Sequence, residues 1–360
     1  MKNFLIIAFL VVFSSLLVWL PFSLKNEMLK VFANYDGPNY LIVAKTWYQK
    51  NLIREKFEFP LPLEYYPAHF PGYPAIIRVF NFFLPGPWAM LIATVFSTIL
   101  MAEIFYLFLK KNSFSKFPLW LTFVFLFFPA RFLVVRTIGA PESLFIFAIL
   151  TSFYFFRLKK WWLAGLFGAL AQITKSPGIL LFIAYIIIIL KEGLKTKKFN
   201  FKTYPLLLIP FSLLGVFLFY YQKTGNFWAY FHSGDNFHLF FPPFQIFKTG
   251  RSWIGDFWLE DVIYIYLLGI LTIIFLIKKR YFDLATFAGI FYLTTLFIAH
   301  RDLSRYSLPL VPFSLIAFSD FLEKKEFKIA FFFILIPIYL YTLNFISYNV
   351  APIGEWQPFL

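Results

Sequence analysis

The sequence predicts an all-α integral membrane protein, and two observations lead to that prediction. Apolar residues make up 60% of the 360 residues, charged residues only 14%, and the mean hydropathy is +0.72. This composition excludes an ordinary soluble domain. Apolar runs long enough to cross about 30 Å of hydrocarbon also recur throughout the chain. They predict one membrane domain over residues 1–360 with about eleven spans: residues 4–20, 87–109, 117–135, 142–156, 161–173, 178–190, 204–221, 262–277, 282–299, 306–318 and 329–346.

The distribution of basic residues predicts the orientation of these spans. Residues 4–20 follow Lys2 and no small-residue cleavage site comes after them, so they are predicted to be a retained anchor. With a cytoplasmic N-terminus, the short inner segments hold just over half of the 33 basic residues, as expected for a multi-pass protein of the cell membrane. The net charge of +15 then reflects topology and contact with anionic lipid, and we expect no nucleic-acid partner.

Two long extracytoplasmic loops, residues 23–86 and 222–260, are the expected location of function, because a helical bundle positions them where water has access. Residues 65–74 (YYPAHFPGYP) are dense in proline and aromatics and are predicted to be irregular rather than helical. The second loop carries His232 between aromatic residues. The absence of cysteine excludes disulfides, thiolate metal sites and a thiol nucleophile.

Asp36, in the run NYDGPNY (residues 34–40), is the first candidate for chemistry. As a general base it would take a proton from an acceptor hydroxyl while that oxygen attacks a sugar carbon. The alternative is a structural aspartate, since Asp-Gly-Pro is also strong turn chemistry. Spacing alone favours neither interpretation.

Cations near the outer face form a second group of candidates: Arg131, Arg136, Lys175, Arg301 and Arg305. A lipid phosphate leaving group needs fixed positive charge at membrane depth, and arginine suits bidentate contact with phosphate oxygens. The alternative for each is a side chain that snorkels to anionic headgroups.

Glu142 follows Pro141 at the start of a predicted span, where an acid also stabilises the positive end of a helix, so a capping role is the alternative there. His69 and His232 lie in the aromatic loops, where a lone histidine is more often structural than a ligand. No spacing of acids recommends a metal site, and none is predicted. Small residues in AGLFGA (residues 164–169) predict close packing of two helices.

Several blocks together resemble the GPI mannosyltransferase II (PIG-V) family. YDGPNYLIVA (35–44) resembles its aromatic-Asp-x-x-x-Tyr-x-x-Ile-Ala block, and HFPGYP (69–74) its Phe-Pro-x-Tyr-Pro block. PESLF (141–145) looks like its Glu-Ser-x-Phe helix start. WWLAG (161–165) through TKSPG (174–178) looks like its Ala-Gly to Thr-Arg-x-x-Gly stretch, and RYSLP (305–309) like its Arg-Tyr block. The order of the blocks, over about residues 33–312, carries the resemblance.

The resemblance implies a membrane-embedded GT-C glycosyltransferase fold with an extracytoplasmic active site, a polyprenyl-phosphate sugar donor and a hydroxyl acceptor. It assigns the catalytic base to Asp36 and, by position, donor-phosphate contacts to Lys175 and Arg305. Arg136 and Arg301 are further candidates for these contacts. Lys175 departs from the family, where arginine is common, and so lacks the bidentate fork. No cofactor is implied. The residues expected to line the substrate are Tyr40, His69, Tyr73, Glu142 and His232.

We therefore expect a glycosyltransferase, and a mannosyltransferase first among these, that works by inverting displacement. The alternative from another class is a multi-span transporter or flippase of lipid-linked sugars. A transporter predicts broken helices in matched halves and charges near mid-membrane, whereas the charges here favour the outer edge. A polysaccharide polymerase or ligase would rest on a larger late loop, and a non-catalytic scaffold gives no reason for the charged residues to occupy the family's positions.

Overall fold

A computed structural model describes residues 2–34, 36–58, 61–198, 200–234 and 238–360. Helix accounts for 74% of the structure, and no β-strand occurs within these ranges. The prediction of an all-α protein is therefore confirmed. Tyr35, part of the first-loop block that carries the resemblance, lies outside the described residues.

The α-helices differ widely in length because proline and short connections interrupt several of the apolar runs. Short 3₁₀ turns join some of them, for example Ser176–Gly178 and Phe201–Leu207. In chain order the described helices are α1 (Lys2–Leu24), α2 (Met28–Phe32), α3 (Gly37–Thr46), α4 (Lys50–Lys56), α5 (Gly72–Phe80), α6 (Gly86–Lys111), α7 (Pro118–Phe127), α8 (Ala130–Val135), α9 (Glu142–Arg157), α10 (Trp161–Thr174), α11 (Ile179–Thr196), α12 (Leu208–Thr224), α13 (Leu259–Lys278), α14 (Phe282–Thr295), α15 (Leu303–Tyr306), α16 (Val311–Ala317), α17 (Ser319–Leu322) and α18 (Lys325–Tyr348).

Within the described ranges, six helical segments are long and apolar enough to cross a membrane: α1, α6, Ser176–Thr196, Phe201–Thr224, α13 and α18. Three shorter apolar helices are α7, α10 and α14. Helix α6 is central, with 67% of its apolar stretch buried, whereas α18 buries only 22% and leaves most of its surface free for lipid. The segments that cover the central helices are thus apolar on both faces, as a lipid environment requires.

Contacts between loops sort the helix termini into two ends of the bundle. At the end that we call the loop end, Tyr220 Oη donates to Pro67 O over 2.8 Å, and the Asn349 and Asn34 side chains meet at 3.4 Å. At the end that we call the basic end, Arg157 binds Asp283 at 3.0 Å, Arg157 donates to Asn112 at 3.1 Å and Lys279 binds Asp320 at 2.9 Å. The two long loops lie at the loop end, and the short lysine-rich connections lie at the basic end.

The first long loop differs from the prediction, because much of it is helical. Residues 63–68 form a 3₁₀ turn, and Tyr73 and Pro74 lie in the first turn of α5. A proline there removes only an N–H that lacks an intrahelical partner in any case. The prediction of an irregular segment over residues 65–74 was therefore wrong in part.

Two predicted spans are also interrupted by proline. Residues 117–135 form α7 and α8, which are separated at Phe128 and Pro129. Residues 306–318 form the end of α15, a 3₁₀ turn and α16, with Pro309 and Pro312 at the interruptions. In each case a proline removes a backbone donor and restricts the residue before it.

Close packing at the small residues of α10 is confirmed. A Cβ at Gly165 would lie 2.2 Å from Pro205 O, and one at Gly168 would lie 2.5 Å from Ile209 Cδ1. Only hydrogen at these positions lets α12 and its leading turn approach α10. This packing fixes α10, which ends one residue before Lys175.

Candidate functional site

Four charged side chains from distant parts of the sequence meet at the loop end, and we call them the charged cluster: Asp36, Glu142, Lys175 and Arg305. Arg305 Nε and Lys175 Nζ each lie 2.8 Å from Glu142 Oε1. Arg305 also binds the Asp36 carboxylate through Nη1. Glu142 begins α9, Lys175 follows α10, Arg305 lies in α15 and Asp36 directly precedes α3. The alternation of helix direction brings all four to one end.

Glycines bring the loops of the two acids together on the central helix α6. A Cβ at Gly37 would lie 3.2 Å from Met90 Sδ, and one at Gly139 only 2.1 Å from the same atom. Asp36 precedes the first glycine, and Glu142 follows the second by three residues. The absence of side chains at both positions lets the two backbone segments flank Met90. Close backbone approach therefore sets the spacing of the cluster.

Burial increases from Asp36 to Glu142. The side chains of Asp36, Lys175, Arg305 and Glu142 are 31%, 18%, 14% and 1% exposed. Two cations balance two anions, which is how buried charges are tolerated where solvent is excluded. Asp36 is therefore the member that a ligand from outside can reach, and Glu142 anchors the two cations from beneath.

The electrostatics keep Asp36 ionised. Burial raises the pKa of its carboxyl, but the charges of Arg305, His69 and Lys175 lower it further, so the net pKa lies well below the usual range. The pKa of Arg305 moves in the opposite direction: burial lowers it, and Glu142 and Asp36 together raise it well above the ordinary value. Both shifts favour the charged form of the partner concerned.

Three predicted substrate residues form an aromatic wall beside Asp36. The Tyr40 ring meets His69 edge-on at 4.8 Å between centroids and Tyr73 at 5.1 Å. The Tyr73 hydroxyl lies 2.6 Å from Thr94 Oγ1 and donates to Met90 O at 3.0 Å, which fixes this wall to α6. Burial lowers the pKa of His69, and the charge of Asp36 acts in the opposite direction.

Buried polar atoms without a hydrogen-bond partner in the described residues gather around the cluster. They include Asn34 Nδ2, Asn39 Oδ1, His69 Nδ1 and Glu142 Oε2. Asn34 and Asn39 flank Asp36 in the sequence, and the charge of Asp36 acts on His69. Native structures satisfy nearly all such groups, with protein, water or ligand. The four atoms comprise two acceptors (Asn39 Oδ1 and Glu142 Oε2), one donor (Asn34 Nδ2) and one imidazole nitrogen, whose role depends on the tautomer.

A histidine pair that the sequence did not single out, His238 and His300, lies beside the cluster. The rings of His238 and His300 lie with centroids 4.1 Å apart at an interplanar angle of 38°, and Tyr306 packs on both. The second loop is held there by Ala299 N, which donates to His238 O at 3.0 Å. His300 lies five residues before Arg305, and that proximity was the available signal. His238 had none, because its position follows only from the folding of the second loop.

The structure does not bring the remaining predicted residues into the cluster. Arg136 is fully buried and donates to Leu126 O at 2.6 Å and to Ser14 Oγ at 2.9 Å. Arg301 is exposed at the adjoining turn. His232 is exposed and lies 2.9 Å from Asn226 Nδ2.

Arg131, a further candidate phosphate ligand, is engaged by Asp302 and covered by the Phe345 ring at 3.8 Å. Both Arg131 and Arg136 are less than a tenth exposed. The alternative that these two arginines snorkel to headgroups is therefore wrong. Glu142 likewise does more than cap α9, because it holds two cations.

Asp36 lines neither of two cavities in the described structure. A small one of about 20 Å³ lies beside His232 and Glu64. A larger one of about 550 Å³ lies at the basic end, next to Trp120. Among the residues that the structure describes, no three histidines or acids are grouped as ligands for a metal ion.

Comparison of the chain with models of known protein families finds no match, and comparison with proteins of characterised function finds none either.

Proposed function

We propose that this protein is a membrane glycosyltransferase that moves a sugar, with mannose the leading candidate, from a polyprenyl-phosphate donor to a hydroxyl acceptor. The observation that carries the proposal is the charged cluster, in which an accessible carboxylate shares one arginine with a buried glutamate. A carboxylate can accept the proton of the acceptor hydroxyl, and the adjacent cations can bind the phosphate of the donor. The blocks that resemble the GPI mannosyltransferase II family contribute all four members.

The reaction is a single displacement at the anomeric carbon. The acceptor oxygen forms a bond to that carbon while its proton passes to the Asp36 carboxylate. The bond between the anomeric carbon and the phosphate oxygen breaks, and the polyprenyl phosphate leaves with the electron pair. Arg305 and Lys175 stabilise the negative charge that develops there. Because phosphate is already a good leaving group, positioning supplies much of the remaining rate.

Arg305 couples donor binding to the basicity of Asp36. Without a ligand, Arg305 holds the pKa of Asp36 low, and so weak a base accepts a proton poorly. A donor phosphate that draws on the same guanidinium weakens this effect and raises the pKa of Asp36. The base is then activated only when the donor is in place.

The topology forms part of the proposal. Eleven crossings, with the charged cluster on the extracytoplasmic side, agree with the contacts that sort the helix ends into two groups. Several crossings then use helices of fewer than eighteen residues, such as α9, α10 and α14. Adjoining turns and local thinning of the bilayer accommodate such lengths at modest cost.

The test is transfer of label by the purified full chain from a panel of radiolabelled polyprenyl-phosphate sugars to glycolipid acceptors. We expect Asp36→Asn to lower the transfer rate by at least about 100-fold, because it removes the base and keeps the shape. Glu64→Gln is the matched control, since Glu64 is an acid of the same loop that forms only an exposed ion pair with Lys50. It should transfer at the wild-type rate.

Thermal unfolding and gel filtration of both variants establish that they are folded. Full activity in a folded Asp36→Asn protein would remove the proposed base. Movement of the intact donor across vesicles without transfer of label would favour the transporter alternative instead.

A further inference from the structure

An open apolar groove lies at the basic end, far along the bundle from the charged cluster. It has a volume of about 550 Å³ and opens between α1, α7 and α18 over a floor from α6. Its lining is almost entirely apolar and includes Leu10, Trp120 and Phe332. Two of its polar side chains bind each other, because Asn3 Nδ2 donates a hydrogen bond to Tyr106 Oη at 2.6 Å. The groove is therefore suited to a hydrocarbon chain.

Lysines stand at the rim of this groove, directly over its lining rings. Lys328 Nζ lies 4.3 Å from the centroid of Phe117 and 5.5 Å from that of Trp120. Lys110 Nζ lies 6.0 Å from the Tyr106 ring. Neither lysine forms an ion pair with a described acid. Ring contact leaves the ammonium protons free to bind an anion.

Glu323, an acid near this rim, forms no ion pair with these lysines. Glu323 accepts hydrogen bonds from the Ser115 hydroxyl and, at 3.1 Å, from Lys116 N. It thus caps the start of α7, and the Lys116 side chain itself is exposed. Three lysines therefore surround the mouth of an apolar groove: Lys110, Lys116 and Lys328.

We propose that the groove binds one anionic phospholipid of the bilayer leaflet at the basic end, with an acyl chain along Leu10 and Trp120 and the phosphate between Lys110 and Lys328. Basic pockets between membrane helices recognise anionic headgroups in this way, and each lysine near the surface contributes to the preference. The site is independent of the proposed glycosyl transfer.

The polyprenyl tail of the donor is the other occupant to consider. Its phosphate would lie at Arg305, at the loop end, whereas the cations that select a headgroup here lie at the basic end. A lipid that enters from the leaflet at the basic end meets both the groove and the lysines at once. The charge complementarity therefore favours a phospholipid of that leaflet.

The experiment uses the full chain in mixed micelles and measures quenching of tryptophan fluorescence by brominated lipids. The signal of Trp120 is isolated by subtraction of the Trp120→Phe variant from wild type. We expect dibrominated phosphatidylglycerol to quench this signal at about a tenfold lower mole fraction than dibrominated phosphatidylcholine.

Two double variants distinguish binding by the rim lysines from a general effect of positive surface charge. Lys110→Gln with Lys328→Gln should abolish the preference for phosphatidylglycerol. Lys191→Gln with Lys278→Gln should retain it. The control lysines also lie over rings, at 5.0 Å from Phe282 and 5.3 Å from Phe275, but outside the groove.

Equal quenching by the two headgroups, or a Trp120 signal that no brominated lipid reaches, would overturn the proposal. So would displacement of brominated phosphatidylglycerol by undecaprenyl phosphate at a lower mole fraction than by phosphatidylglycerol itself. Unchanged thermal unfolding of all the variants shows that the comparison concerns binding rather than folding.

Discussion

Glu142 and Asp36 share Arg305, yet their surroundings give them different roles. Glu142 is 1% exposed and accepts from both Arg305 and Lys175, so its charge balances two cations in a site from which water is largely excluded. Asp36 is 31% exposed and touches only the outer side of the same guanidinium. Loss of Glu142 leaves Lys175 without its carboxylate and Arg305 with Asp36 alone, whereas loss of Asp36 leaves both cations paired with Glu142. We therefore expect substitution of Glu142 to lower mainly the stability of the protein, and substitution of Asp36 to lower mainly its catalytic rate.

The substitution Glu142→Gln should lower the free energy of unfolding by about 3–5 kcal/mol, the usual cost of a broken buried ion pair. It should also weaken donor binding, because Arg305 and Lys175 lose the group that orients them. Thermal unfolding in detergent and binding of a labelled polyprenyl phosphate measure the two effects. Asp36→Asn, run in parallel, should unfold much closer to wild type. An Asp36→Asn protein that is the less stable of the two would contradict this division of roles.

His238 should make stability depend on pH. Burial and the neighbouring His300 lower its pKa to about 3, against the opposing charge of Asp36, whereas an unfolded histidine titrates near about 6.5. Below that value the unfolded chain binds a proton that the folded protein does not. Stability is thus complete near neutral pH and is lost as the pH falls.

Between pH 7.5 and pH 5 this effect costs at most about 2 kcal/mol. The difference in unfolding temperature between pH 7.5 and pH 5 should therefore be smaller in His238→Gln than in wild type. His232→Gln, which alters an exposed histidine of the same loop, should keep the wild-type difference. An unchanged difference in His238→Gln would exclude His238 as its source.

Helix packing at glycine positions controls where Lys175 lies. Gly72, at the start of α5, faces the last turn of α10: a Cβ there would lie 2.7 Å from Thr174 Oγ1 and 2.8 Å from Ile173 O. Backbone cannot move aside as a flexible side chain does. A methyl group at this position therefore pushes on the residues that directly precede Lys175.

We expect Gly72→Ala to cost about 1–3 kcal/mol by overpacking and to raise the KM for the donor more than it lowers kcat. Gly289→Ala is the matched control, because no atom lies within 4 Å of a Cβ added there, within α14. That control should be as stable as wild type or slightly more so, since alanine is the better helix former. Thermal unfolding and steady-state kinetics of the two variants check this. Equal behaviour would mean that α5 does not position α10.

At the scale of the whole molecule, the ion pairs of the two ends serve different purposes. Arg157 with Asp283 and Lys279 with Asp320 join neighbouring connections at the basic end. The charged cluster joins elements that are up to 269 residues apart in the sequence, as the contact between Asp36 and Arg305 shows. The basic end thus holds helices in register, and the loop end assembles a site.

Labelling of single cysteines should show which end faces the cytoplasm, and the chain has no cysteine of its own to interfere. Thr249→Cys at the loop end should react with an impermeant maleimide on intact cells, since the loop end is proposed to be extracytoplasmic. Lys195→Cys at the basic end should react only after permeabilisation. Both positions are exposed. The reverse pattern would place the charged cluster in the cytoplasm and would contradict the use of an extracytoplasmic donor.

The sequence by itself determined the class of the molecule, because an apolar composition and runs of membrane-crossing length allow little other than a helical membrane protein. It also selected each member of the charged cluster, since ionisable residues beside apolar runs are costly and hence informative. The sequence blocks that resemble the GPI mannosyltransferase II family also selected Tyr40, His69 and Tyr73 as substrate residues.

Only the tertiary structure decided which of these groups meet. It joined Arg305 to both acids and engaged Arg136 with Ser14 and Leu126, although the sequence offered Arg136 and Lys175 as similar candidates. It also brought His238 to His300 through the second loop. The physical reason is that apolar patterning fixes where a helix lies but not its rotation and depth against its neighbours. Those depend on close contacts, such as Gly37 and Gly139 on Met90, that exist only in the folded chain.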